Sequence, residues 1–208
     1  MSQDGPTPPL TGLDERLARI LDFLVLTDRF KKVERAAYLG DGSRHESDAE
    51  HTWHMGLYAL LLHEEVGFYV DIGHVLKLVL VHDLVEILAG DTYCYDQTAV
   101  AGQEEREREA AQALFGRLPE PLAERLHGWW REFEEGATAE ARFAKSMDRL
   151  QGFIQNYVAA GKTWKENGIA KERTRIRTDL PRRTDPVFDA LIKEIYARAD
   201  AGGLWGGE

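Results

Sequence analysis

With 208 residues, 43% of them apolar, the chain can build one core, and a length of this order usually makes a single domain. A formal charge of -10 disfavours a nucleic acid polymer or an anionic membrane as partner, since both need a concentrated basic face. Cys94 is the only cysteine, which excludes an intramolecular disulfide and a thiolate metal cluster and fits a reducing compartment.

Residues 1–12, MSQDGPTPPLTG, are rich in Pro, Gly, Ser and Thr and carry no periodicity, so a flexible segment is expected there. They lack the basic and apolar regions of a signal peptide, and no run of about 18 apolar residues follows, so the expectation is a cytoplasmic protein with no membrane partner. Leu13, Leu17, Ile20, Leu21 and Leu24 then recur at helical spacing. In ESDAEHTWHM, Ser47 and Glu50 have capping-box spacing, which predicts a helix start at Asp48 and puts His51 in the first turns. Unpaired N–H groups and the positive dipole end there favour a neutral imidazole able to bind metal. Trp53, Leu57, Leu60 and Leu61 form a second helical stripe.

The apolar run from Val75 continues through Leu88 to Gly90, too long for a typical strand, and reads as one buried helix closed by glycine. It carries His82, Asp83 and Glu86. A buried carboxylate costs several kcal/mol unless its charge is compensated, so a cation is expected beside it. On a helix His82 and Asp83 point about 100° apart, and a cation over the edge between them can take one ligand from each. Glu86 lies one turn beyond His82 on the same face.

GQEEREREAAQALFGRL and PLAERLHGWWREFEE read as amphipathic helices, and TAEARFAKSMDRLQGFIQNYVAAG as a long one that carries Asp148. The stretch 171–183, KERTRIRTDLPRR, is the most basic of the chain; it is expected to be solvated and receives no site residue. Thr184, Asp185 and Pro186 start the last helix, and the tail 201–208 looks loose. No internal repeat appears. The expected fold is all-α, one domain of roughly six to eight helices over 13–200.

His51, the pair His82-Asp83, and Asp148 stand on three separate helices and together offer two imidazoles and two carboxylates. This mixed nitrogen and oxygen set suits one divalent transition ion that keeps positions open for water and substrate. Mn, Fe, Co, Ni and Zn all accept such ligands, and the sequence does not choose among them.

These four residues match the H…HD…D signature, and the chain resembles the HD-domain metal-dependent phosphohydrolases. ESDAEH, HDLVEILAGD and KSMDRLQ resemble the branch containing 5'-deoxynucleotidases, over residues 13–157 or so. The resemblance implies an all-α HD domain, a bound divalent ion, a homodimer, and hydrolysis of (deoxy)nucleoside 5'-monophosphates to nucleoside and phosphate. A metal so held would activate a water for attack on phosphorus, with Glu86 orienting that water or taking its proton. The resemblance also implies that Arg35, rather than Arg44, binds phosphate, and that Asp91 contacts the sugar or helps the leaving oxygen accept a proton.

One position departs from the pattern. Where bacterial deoxynucleotidases carry an aromatic residue after the phosphate-binding arginine, this chain has Ala36, so selection against the ribose 2'-hydroxyl is open, with Tyr38 or Trp53 as substitute aromatic walls. Two-metal members of the superfamily use extra histidines between the HD pair and the last aspartate. Only His127 lies there, so one metal is expected, with His54 as a supporting neighbour of His51. Two alternatives stand beside this reading: a phosphohydrolase of another phosphomonoester or of a nucleoside triphosphate, and a non-catalytic metal-containing helical protein that binds a nucleotide.

Overall fold

The computed structural model describes residues 12–207. The flexible segment expected at 1–12 therefore lies almost wholly outside the described residues. Helix α1 (Glu15–Thr27) leads through a 3-10 turn, Asp28–Lys32, into strands β1 (Glu34–Tyr38) and β2 (His45–Ser47). Then follow α2 (Asp48–Leu62), α3 (Ile72–Val81) and the short α4 (Glu86–Ala89) and α5 (Gln97–Val100). Helices α6 (Gln103–Phe115), α7 (Leu122–Glu135) and α8 (Ala139–Val158) precede the short α9 (Lys162–Glu166) and a 3-10 turn, Lys171–Thr174. Helices α10 (Arg175–Thr184) and α11 (Pro186–Ala201) complete the chain. Eight of these helices have ten residues or more, in keeping with the all-α expectation.

Helix α8 is the axis of the fold and packs against α2, α3, α7, α10, α11 and β1. Its buried Phe143, Met147, Leu150 and Phe153 meet Met55, Leu78, Phe188 and Ile192 in the main core. A second cluster joins Phe115 and Leu114 of α6 to Trp130 of α7 and Phe23 of α1. Burying a side chain of this size stabilises the fold by about 1.5–3 kcal/mol, so α8 is held rigidly from several sides.

The capping box forms as the spacing predicts: Ser47 Oγ accepts from the Glu50 N–H, and Glu50 returns a bond to the Ser47 N–H, starting α2 at Asp48. The N-cap Asp185 and Pro186 likewise open α11.

The antiparallel β1–β2 hairpin, pairing Glu34 with Ser47 and Tyr38 with His45, was not anticipated. Its signal is Asp41-Gly42, where Gly42 adopts a φ of +69° and donates to the Leu39 carbonyl at 2.8 Å. The strands are too short to show alternation, yet the hairpin delivers Ser47 to its cap and sets Arg35 beside the start of α2.

The run from Val75 to Leu88 is not one helix. It breaks between α3 and α4, where the N–H groups of Leu84, Glu86, Ile87 and Leu88 reach back only three residues. The His82 ring occupies the Val79 carbonyl at 2.8 Å, the acceptor that an unbroken helix would give to the Asp83 N–H. Gly90 closes α4 at a φ of +77°, as glycine allows.

The stripe on α2 does not face the core. Trp53 is 69% exposed and Leu61 65%, while Met55 and Ala59 on the opposite face are fully buried. Neither is the tail loose where it is described. Trp205 stacks on Trp164 at 4.6 Å, and the Gly206 N–H donates to the Ile169 carbonyl. A Cβ at Gly206 would sit 1.7 Å from the Trp164 carbonyl oxygen, so only glycine permits this approach.

Candidate active site

Two imidazoles converge where α2, the α3–α4 break and α8 meet. Each has its Nδ1 engaged: His51 Nδ1 lies 2.5 Å from Gln151 Oε1 and His82 Nδ1 lies 2.8 Å from the Val79 carbonyl. Both acceptors are oxygens, so each Nδ1 carries a proton and each Nε2 is turned inward. His51 is held neutral by burial, whereas at His82 burial is outweighed by Asp83, which lifts the imidazolium pKa to about 9. His51 Nε2 stands 3.3 Å from Asp148 Oδ1 and 3.7 Å from Asp83 Oδ2, and His82 Nε2 2.9 Å from Asp83 Oδ2. Among the described residues neither Nε2 makes a hydrogen bond of good geometry, although both rings are buried.

Ligand atoms of His51, His82 and Asp83 lie within 4.8 Å of one another. Imidazole nitrogens and carboxylate oxygens aimed at one point are a donor set that a metal ion would satisfy, taking the place of the second proton on His82. The sequence-derived set is thus brought together, Asp148 reaching it from α8 through His51. Glu86, just past the helix break, lies with Asp48 and Asp83, their carboxylate oxygens also within 4.8 Å.

The electrostatics follow from crowding. Burial pushes Glu86 well above the usual carboxylate range, and Asp83 and Asp48 push it further. Asp48 rises to about 7, by burial and then by Asp83. Burial is the largest influence on Asp83 and Asp148 and works against their charge. His82, Arg35 and His51 together outweigh it at Asp83, and Arg177, His51 and His82 together at Asp148, so both stay ionised. Without a cation, protons on Asp48 and Glu86 relieve the cluster. Oδ2 of Asp48 and Oε2 of Glu86 have no hydrogen-bond partner.

Arg35 projects from β1 into this cluster, donating to Asp48 Oδ1 at 3.2 Å and Asp83 Oδ2 at 3.1 Å, with Asp91 Oδ1 at 3.8 Å. Arg44 lies on the surface against Glu50. Several residues escaped the sequence reading. Glu46 and Gln151 form a relay behind His51: Gln151 Nε2 donates to Glu46 Oε1 at 2.9 Å and lies 3.3 Å from His54 Nδ1. Both belong to motifs already quoted, ESDAEH and KSMDRLQ, and the signal was the motif itself.

Arg177 is a correction. It comes from the basic stretch expected to be solvated, yet α10 turns it inward, where Nη2 donates to both Asp148 oxygens at 3.0 Å. No periodicity separates it from its exposed neighbours.

Two cavities meet at this centre, and Arg35, Asp91, Thr92 and Arg177 line both. The polar one extends past His82 and Asp148 to Glu107, Glu134 and Lys145. The other is walled by Tyr93, Tyr95, Phe153 and Trp164, with Ala36 beside Arg35. The aromatic wall therefore comes from the segment after Asp91 and from α8 and α9. Tyr38 turns away to stack on His45 under Lys162, and Trp53 is on the outer face of α2.

Fold and site together define a mostly helical protein with a His/Asp group that could hold a metal ion next to an arginine paired with carboxylates. The profile of the HD domain matches residues 27–184, and the chain belongs to the HD-domain family. It is similar to the 5'-deoxynucleotidase HDDC2 of Bos taurus, 30% identical over 156 residues, 74% of either chain. It is also similar to the 5'-deoxynucleotidase hdd1 of Schizosaccharomyces pombe, 28% identical over 66% of this chain and 71% of that one. Among solved structures, a protein of Magnetospirillum magnetotacticum described as a "predicted metal-dependent phosphohydrolase" superposes with a TM-score of 0.85 at 39% identity, over 91% of this chain and 95% of that one.

Proposed function

We propose that the chain is a metal-dependent phosphohydrolase of nucleoside 5'-monophosphates, releasing nucleoside and inorganic phosphate, with one divalent ion held by His51, His82, Asp83 and Asp148. The observation that carries this reading is the pair of buried Nε2 atoms facing two carboxylates, one arginine away from an aromatic-walled cavity. The named relatives support it. A divalent ion bound there lowers the pKa of a coordinated water and polarises a phosphoryl oxygen.

The remaining work falls to the chain's own residues. Arg35 binds the phosphate with its planar fork, exchanging carboxylate partners for phosphoryl oxygens. Glu86 takes the proton of the attacking water on Oε2, a buried atom with no other partner. Asp91, past the turn at Gly90, hydrogen-bonds the sugar and in its protonated form gives its own proton to the leaving oxygen. The proton taken up by Glu86 then leaves to solvent while Asp91 regains one, which closes the cycle. Since Ala36 lines the cavity where an aromatic would crowd the sugar, ribo- and deoxyribonucleotides both enter.

The test is phosphate and pyrophosphate release from a panel of ribo- and deoxyribonucleotides, using metal-stripped protein resupplied with Mn, Co, Zn or Mg. Metal-dependent release of phosphate from monophosphates is expected. Glu86→Ala should lose at least about a hundredfold in kcat while still binding metal. No release with any metal would sink the reading.

The domain spans 13–200, acts in the cytoplasm, and pairs with a second copy through the exposed apolar face of α2 around Trp53 and Leu61. Leu61→Glu should convert a dimer into a monomer by light scattering. A wild-type monomer would refute this pairing.

A further inference from the structure

We infer that Asn156 reads the base of the bound nucleotide, accepting a hydrogen bond from a base N–H on its side-chain oxygen; the inference rests on the proposed nucleotidase reading and deepens it. Asn156 lines the aromatic cavity. Its Nδ2 donates to the Gly152 carbonyl at 2.8 Å, which fixes the amide, since the flipped orientation would set two oxygens face to face. The other polar atom of the amide is therefore Oδ1, an acceptor, and it is buried with no partner among the described residues. Buried amide oxygens are ordinarily paired, so one left unpaired in a residue that lines a cavity points to a donor that arrives with the ligand.

Helix α8 supplies the ruler. Asp148, Gly152 and Asn156 follow one another at intervals of four and share a face, so Asn156 stands roughly 12 Å along the axis from Asp148. That reach suits the far edge of a nucleotide whose phosphate sits at Asp148. A sugar hydroxyl lies too close to the phosphate to span it. Between the two ends Gly152 has no side chain, which leaves room for Arg177, whose Nη2 lies 3.8 Å from where a Cβ would be. Tyr95, Phe153 and Trp164 offer apolar walls for the faces of the base, and the hydroxyl of Tyr93, a residue of the same wall, is likewise buried without a partner among the described residues.

The discriminating ligands differ only in the donor. Deoxyadenosine 5'-monophosphate carries a 6-amino group, whereas purine deoxyriboside 5'-monophosphate has hydrogen in its place. Wild-type protein should favour the amino compound at least about tenfold in kcat/KM and in equilibrium dissociation constant. Asn156→Leu should bring both ratios close to one. Asn156→Asp keeps an acceptor and should keep the preference, even if the added charge weakens all binding. A wild-type ratio near one, or an Asn156→Leu protein that loses both compounds equally, would overturn the inference. If neither compound is hydrolysed, the nucleotidase reading fails by itself, and the binding ratio still decides whether Asn156 recognises a base.

Discussion

His51 and His82 present the same atom to the same point, but they are held there by different means. His82 rests on a backbone carbonyl, that of Val79, inside a helix end packed into the core. His51 rests on the Gln151 amide, which Glu46 and His54 hold in turn. No side-chain substitution can delete a carbonyl, whereas each link of the His51 relay is a side chain. The metal-facing geometry of one ligand is therefore part of the fold, and that of the other is a network that single substitutions can dismantle.

The largest effects should come from removing either ring, where the two supports cease to matter. His51→Ala and His82→Ala each take away an inward Nε2 and leave Asp83 and Asp148 with less to balance them. Metal affinity, measured by competition with a chromophoric chelator, should fall well beyond the roughly 100-fold that loss of an outer partner costs. Retention of near-wild-type affinity by either variant would remove that histidine from the ligand set.

The comparison sharpens one step outward. Gln151→Ala should lower metal affinity by about 10–100-fold, because His51 loses the acceptor that fixes its tautomer and ring plane. Val79→Ala, the corresponding change behind His82, leaves the carbonyl in place. It should cost stability through a core cavity, by about 1 kcal/mol or more, with metal affinity nearly unchanged. Equal losses of affinity in both variants would erase the distinction between side-chain and backbone support.

The same distinction explains what could be read in the sequence. Asp48 as a helix start was legible because a cap is a local device, two residues three apart. The metal-facing residues were legible because chemistry restricts them to a few residue types. The break after Val81 was not, since it turns on where the His82 ring sends its proton, and periodicity sees only that the run is apolar. Arg177 was hidden for another reason: among the arginines of 171–183, only tertiary packing of α10 on α8 decides which faces inward. The outward stripe of α2 shows the limit of periodicity, which reports that a face is apolar but not what covers it.

The smallest effect concerns the far end of the relay. Burial lifts Glu46 to about 7, against the opposing pull of Arg35 and then of the Gln151 hydrogen bond. A carboxyl whose pKa is higher folded than unfolded favours folding fully below the unfolded value of 4.5, and loses that contribution as pH rises through about 7. Between these limits the native state keeps a proton that the unfolded chain has released. Glu46→Gln removes the titration but keeps a group that can accept from Gln151 Nε2. In metal-free protein unfolded by urea, wild type should therefore lose more stability than Glu46→Gln between pH 5 and pH 8, by on the order of 1 kcal/mol once partial solvent screening is allowed for. Other titrating groups, His82 among them, are common to both proteins and cancel in the difference. Parallel curves would mean that Glu46 is already ionised at pH 5, with Arg35 compensating it fully, and the relay behind His51 would then end in a charge at every working pH.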